Sequence, residues 1–310
     1  MDWTPHVAAM KVLEAVIRTG SISAAARELG VSQQSVSARV RSFERLLGVE
    51  LIVRSPSGVV PTFDGEAVLS WAADVLAAVD RFGTAAELLR DSPDRVLRVA
   101  ASQTVAAHLL PGWVMGLRRQ QLASDRTPVQ TQLRTGNSAQ VVELLHAGEI
   151  DLGFIETPVL PQGLGHSTVA VDRLIPVVSP VHPWAGRREV DIAELADTPL
   201  VAREEGSGTR EAWERAVRLI LTRAAVEPCL VLSSTAAVRS AVAEGIAPAM
   251  LSELAVADDI LLGRIHPLEI QGHAITRPLT ALWRGGARDL LGSARELVDA
   301  ASRASRRAAG

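Results

Sequence analysis

The sequence predicts an α/β protein in three parts: an N-terminal all-α winged helix-turn-helix, a long linker helix, and a C-terminal α/β domain. Three observations predict it. Short apolar-periodic segments, punctuated by serines and glycines, fill the chain as far as Leu47; a proline-free stretch after Thr62 carries a sustained apolar seam to Leu89; and beyond Asp94 strand-like and helix-like runs alternate. The expected units are 1–61, 62–91 and 92–310.

A chain of 310 residues exceeds what one core usually holds, and its 47% hydrophobic content supports sizeable cores. No apolar run reaches the roughly 18 to 20 residues of a membrane helix. The start, Met-Asp-Trp-Thr-Pro-His, lacks a basic segment before an apolar one, so a cytoplasmic protein with no membrane partner is expected. One cysteine, Cys229, excludes a disulfide framework and a thiol metal cluster. A net charge of −3 does not suggest a generic nucleic-acid coat, so any DNA contact must rest on local charge.

Val7, Met10, Leu13, Val16 and Ile17 recur at helical spacing, and Gly20 ends that helix. Ser23 is the expected cap of a short helix over 24–29, stopped at Gly30; Ser32 caps a third, closed by Gly48. Two helices across a tight glycine turn, the second longer, make a helix-turn-helix layout. In the third helix Val36, Val40, Phe43 and Leu47 form one apolar stripe. A rotation of about 100° per residue then turns Gln34, Ser37, Arg41 and Arg45 outward, with Gln33 and Arg39 flanking the stripe. Glutamine suits adenine, arginine suits guanine or phosphate, and the helix start with Ser32 suits a phosphate oxygen. Leu51–Val53 and Val59–Val60 read as two strands about the turn Ser55-Pro-Ser-Gly58, with Arg54 placed to reach a phosphate. The alternative for these residues is an ordinary solvated face; the order of cap, short helix, turn, capped helix and wing favours double-stranded DNA.

Thr62 is the expected cap of the linker helix. Val68, Ala72, Val75, Val79, Phe82, Ala86 and Leu89 step by four and three, a heptad seam, with Leu69 and Leu76 beside it. A single helix cannot hide such a stripe, so a second copy of the chain is the economical partner; packing within its own monomer is the alternative.

Strands are expected at 96–101, 129–135, 152–155, 169–179, 199–201, 230–232, 247–251, 265–270 and 279–283. Helices are expected at 104–119, 138–147, 209–223, 236–244 and 289–301. The alternation implies mainly parallel pairing, with ligands beyond strand ends near helix starts. Those junctions are Ser102–Thr104, Gly136–Ser138, Glu204–Thr209 and Ser233–Thr235. Together they suit a small anion or carboxylate, although each hydroxyl alone reads as an ordinary cap.

The stretch SISAAARELGVSQQSVSARVRSFERLLGVELIVR, followed by GVVPTFDGEA, resembles the winged helix-turn-helix of LysR-type transcriptional regulators. The matches are Ala25-Ala26, Leu29, Ser32-Gln33, Val36-Ser37, Leu46, Leu47-Gly48, Leu51, Arg54, Thr62 and Gly65; Ala38 and Ile52 depart from the usual arginine and phenylalanine. The C-terminal part is similar to the family's effector domain, itself like periplasmic solute-binding proteins; REEGSGTR over 203–210 resembles the branch that responds to small anionic metabolites, and VVSPVHPWA over 177–185 resembles a family loop. The resemblance implies two lobes, about 92–169 with 266–310 and about 170–265, crossing near Ala170 and near 265–270. It also implies pairing through the linker into homodimers or homotetramers, a small-molecule effector held by Ser102, Thr104, Asn137, Ser207 and Thr209, and contact with RNA polymerase.

Enzyme signatures are poor. Gly206-Ser-Gly208 is not a nucleophile elbow, Gly163-Leu-Gly165 lacks the rest of a dinucleotide fingerprint, and the seven histidines have no metal-ligand spacing. No catalytic residue, metal or cofactor is therefore expected. The competing reading is a solute-binding or transport-linked protein without a DNA role, followed by an α/β enzyme with an accessory domain.

Overall fold

A computed structural model describes residues 7–55, 58–88, 96–286 and 288–308. The chain divides into two compact units, 1–90 and 91–310, each described by itself.

The first unit contains α1 (Val7–Thr19), α2 (Ile22–Glu28), α3 (Gln33–Leu47), the hairpin β1 (Ile52–Ser55) and β2 (Gly58–Pro61), and α4 (Phe63–Leu88). Its core joins Val12, Val16, Ala25, Val36 and Val40, with Leu13, Phe43 and Leu51 beneath. The cap of α2 is Ser21, whose hydroxyl accepts from Ala24 N; Ser23, the expected cap, lies inside the helix. Ser32 does cap α3, accepting from Ser35 N at 3.2 Å. Glu44 ties α3 to the wing, its Oε1 accepting from Leu51 N at 2.9 Å.

Thr62 caps α4: its hydroxyl accepts from Gly65 N at 2.9 Å and donates to Glu50 O at 2.6 Å. Gly65 is required by close approach, because a Cβ there would collide with the backbone of Leu51. The apolar seam of α4 is divided between two faces. Val68 packs on the unit's own core, and Ala72 and Leu76 are buried with it, because α4 lies against α1. The exposed row is instead Trp71, Val75 and Phe82, with Val79 intermediate. Leu89, and the side chains of Arg54 and Ala86, lie outside the described residues.

The second unit contains β3 (Val96–Ser102), a π-helical turn (Val105–Leu109) running into α5 (Leu110–Ala123), β4 (Gln130–Gly136), α6 (Ser138–His146), β5 (Leu152–Ile155) and β6 (Leu164–Val178). It continues through β7 (Glu189–Val190), α7 (Ile192–Ala196), β8 (Val201–Arg203), α8 (Gly208–Leu221), β9 (Leu230–Leu232) and α9 (Thr235–Ala243). Then follow β10 (Ala249–Ser252), α10 (Glu253–Leu261), β11 (His266–Pro267), β12 (Glu269–Ile270), β13 (Ile275–Arg284) and α11 (Gly292–Ala308).

Pairing is mixed rather than mainly parallel. β3 pairs in parallel with β4 and β5, and β8 with β9, but the long β6 and β13 run antiparallel to each other and β10 runs antiparallel to β6. These two strands connect two cores. Val169, Leu279, Ala281 and Trp283 belong to a core with α5 and α11, whereas Leu174 and Ile275 belong to one with Trp184, Trp213 and Met250. The chain therefore returns between the lobes within β13, at about Ile275 to Leu279, rather than at 265–270; β11 and β12 remain with the second lobe, as β11 pairs with β6 and Leu268 and Ile270 enter its core. Pro278 lacks an N–H for a ladder and argues against strand at the sequence level, but here it precedes a register shift between Leu279 and Thr280.

Candidate functional site

On the first unit, the outer face of α3 presents Gln33, Gln34, Arg39, Arg41 and Arg45 exposed, with Ser32 exposed at its start and Ser37 half-buried. The opposite face carries Val36, Val40 and Phe43 into the core, each 2% exposed or less. Core burial thus fixes the helix's rotation, and the polar row faces outward without a core role. Arg45 bends back to donate from Nε to Arg41 O at 3.3 Å.

On the second unit, the five residues expected at an effector site converge where the lobes meet. Ser102 ends β3, Thr104 opens the π-helical turn, Asn137 caps α6, and Ser207 and Thr209 flank the start of α8; all are buried. Their roles differ. Asn137 closes a capping box with Gln140 and donates from Nδ2 to Glu204 Oε1 at 3.1 Å. Thr104 and Thr209 accept from Arg277, at 3.1 and 2.9 Å. The Ser102 and Ser207 hydroxyls have no hydrogen-bond partner, and Ser207 makes no cap bond to α8.

Arg277 is the residue that the sequence did not point to. It is 1% exposed and stands opposite Asp172 in the β6–β13 register, at the crossing between lobes. Its Nε and Nη2 both meet Asp172 Oδ2, at 2.8 and 2.7 Å, and Nη1 lies 3.3 Å from Glu156 Oε1. Asp172 Oδ1 in turn accepts from Ser252 at 2.7 Å. A buried guanidinium needs such partners, since stranding it would cost several kcal/mol or more.

Further contacts hold the lobes together. Gln103 donates to Ser233 O at 2.9 Å and accepts from Thr235 N at 2.7 Å; Ala139 N donates to Gly206 O at 3.2 Å; Thr157 bonds Glu211. The two glycines of REEGSGTR permit this approach. Gly206 has φ +80°, and a Cβ at Gly208 would lie 2.5 Å from Glu156 O. Arg203, 2% exposed, donates to both oxygens of Glu204 and to Thr235. Burial pushes the Glu204 carboxyl up, but the hydrogen bonds and charge of Arg203, with Asn137, outweigh it and hold it below the ordinary carboxylate value. A cavity of about 260 Å³ lies in the second lobe, lined by Leu200, Arg210, Trp213 and Met250; it touches Arg203 and Thr209 but not Ser102 or Asn137.

Among the described residues no group of three or more histidine, cysteine or acidic side chains could hold a metal, and no helix is long and apolar enough to cross a membrane.

Comparison with known proteins agrees with both halves. The family described as bacterial regulatory helix-turn-helix protein, lysR family, matches residues 7–66, and the LysR substrate binding domain matches 90–305. An uncharacterized HTH-type transcriptional regulator of Mycobacterium tuberculosis H37Rv, Rv2282c, is 40% identical over 95% of both chains. The RuBisCO operon transcriptional regulator of Allochromatium vinosum is 28% identical over 93% of this chain and 94% of that one. Among solved structures, the oxidized form of Corynebacterium glutamicum OxyR superposes with a TM-score of 0.52 at 21% identity, covering 99% of this chain and 95% of that one. CbnR complexed with its target DNA does so at 0.52 and 21%, over 96% and 99%. The regulatory domain of Synechocystis CcmR with 2-PG reaches 0.59 at 21%, over 68% of this chain and 97% of that one. The chain belongs to the LysR family of transcriptional regulators, with a DNA-binding helix-turn-helix and an effector-binding domain. Its relatives are regulators rather than enzymes or transport proteins.

Proposed function

We propose that this regulator acts in the cytoplasm as a sequence-specific DNA-binding homodimer or homotetramer, its α3 entering a major groove and its output tuned by a small anionic metabolite held between the lobes. The observation that carries it is the division of α3: the apolar row is buried, while Gln33, Gln34, Arg39, Arg41 and Arg45, side chains of the types that contact bases and phosphates, stand exposed. CbnR, a structural neighbour, is found with its target DNA, which supports the same use of the fold. Ser32 would meet a phosphate at the helix start, Ser37 a base edge, and Arg54 the neighbouring backbone. Two copies joined through α4 would present paired helices to an interrupted palindrome.

The effector reading rests on Ser102, Thr104, Asn137, Ser207 and Thr209 meeting at helix starts, where N–H groups favour negative charge. Binding there would shift the population between two lobe arrangements, altering DNA bending and contact with RNA polymerase. Genome-wide mapping of bound sites, followed by gel shifts on the fragments recovered, tests the reading. Arg41→Ala is expected to weaken operator binding by about 1 to 3 kcal/mol and relax selectivity. An unchanged affinity and site preference would remove α3's outer face from the mechanism.

A further inference from the structure

We propose that the effector is a small zwitterion, an acid with an ammonium on a neighbouring atom, and that Glu156 is the residue that selects the ammonium. This rests on the effector reading above and names the ligand's chemistry.

The charge at the lobe junction is not that of a simple anion receptor. Arg277 offers five N–H groups. Three of them donate to Asp172, Thr104 and Thr209, and Nη2 and Nη1 also lie against Asp172 and Glu156, so every nitrogen of the guanidinium already faces a protein oxygen. Two buried acidic side chains, Asp172 and Glu156, share this one guanidinium. Asp172 is satisfied, with Ser252 on its second oxygen. Glu156 is not: it is 1% exposed, Oε1 faces Arg277, and Oε2 has no hydrogen-bond partner. A buried carboxylate oxygen without a donor is costly, and a ligand ammonium would supply both donor and charge.

The acid's place is beside it. α8 begins with no side-chain cap, and Ser207 and Ser102 hold buried hydroxyls with no partner. Because a Cβ on Gly208 would sit 2.5 Å from Glu156 O, the start of α8 and Glu156 are immediate neighbours. Thr280, also unpartnered, stands opposite Ile155 in the sheet, next to Glu156. Two other such hydroxyls, Thr131 and Ser179, belong to other parts of the domain. An uncapped helix start and an acceptor short of a donor, on residues whose backbones touch, fit a small molecule that carries both an acidic and an amino group. The direct bonds already joining the lobes limit it to a small one. The amino group refines the anion proposed above, since an anion without it would leave Glu156 Oε2 short of a donor.

The test is calorimetric titration of the full-length protein with the twenty common amino acids, each paired with its 2-oxo or deaminated acid, and with sulfate. At least one amino acid is expected to bind at least about tenfold more tightly than its deaminated partner, as sites built to hydrogen-bond a group discriminate against its loss. Glu156→Gln should erase that difference, leaving the deaminated acid as good or better. Acids or sulfate binding as well as every amino acid, or no amino acid binding, overturns the proposal. The wild-type pairs decide this even if E156Q does not fold. Ser207→Ala separates the two readings: if it abolishes binding of a plain acid, the effector site stands and only the zwitterion falls. If no compound's binding responds to it, the site itself falls.

Discussion

Arg277 concentrates the energetics of the effector domain at a single side chain. Removing it strands Asp172 and Glu156 as buried carboxylates facing each other, so Arg277→Met is expected to lower stability by about 3 to 5 kcal/mol. Urea unfolding followed by tryptophan fluorescence measures this, and a loss below about 1 kcal/mol would show that water compensates the pair. Glu204 has a milder role with a defined pH signature. Its folded carboxyl lies below the ordinary value of 4.5, so the stability it contributes is complete above that value. It is lost as pH falls from there through the folded value. Glu204→Gln should therefore cost stability at neutral pH and flatten the acid limb below about 4.5, read from melting temperature against pH. A parallel acid limb in both proteins would assign the acid sensitivity to other groups.

At the scale of elements, the punctuation between helices explains why a residue pattern can specify a fold. Thr62 and Gly65, three apart, do two things at one corner: the hydroxyl takes Gly65 N, and the missing side chain lets α4 pass over Leu51. Gly65→Ala should destabilise the first unit by about 1 to 3 kcal/mol or more, as overpacking does where backbone must move. Native-state hydrogen exchange on α4 would report it, and wild-type protection would mean that the corner relaxes freely. The same corner shows how much was legible. Glycine stops at 20, 30 and 48, the Ser32 cap and the buried row of α3 all follow from local rules, since each involves residues a few positions apart. Ser21 rather than Ser23 as cap of α2 did not, because two serines at neighbouring positions satisfy the same rule. The short β7, α7 and α10 were not legible in the sequence; β7 is only two residues and α7 five, too little for periodicity to register.

For the molecule as a whole, the proposed pairing through α4 would use the face left over after α1 has taken its share. Trp71 and Phe82, 71% and 74% exposed, remain on that face with Val75. Phe82→Glu is expected to weaken self-association at least about tenfold, by burying a charge in an apolar seam, with little change in the folded monomer. Sedimentation velocity across a concentration series checks it; an unaltered assembly would place the interface elsewhere. The sequence by itself determined the helix-turn-helix with its wing, the alternation of strand and helix, and the family. Each of these is written in short-range pattern. Only the tertiary structure decided which side of α4 faces its own unit, where β13 carries the chain back between lobes, and that Arg277 meets both Asp172 and Glu156. Those outcomes depend on residues far apart in the chain brought together by packing and strand register, and no local rule ranks one distant pairing above another.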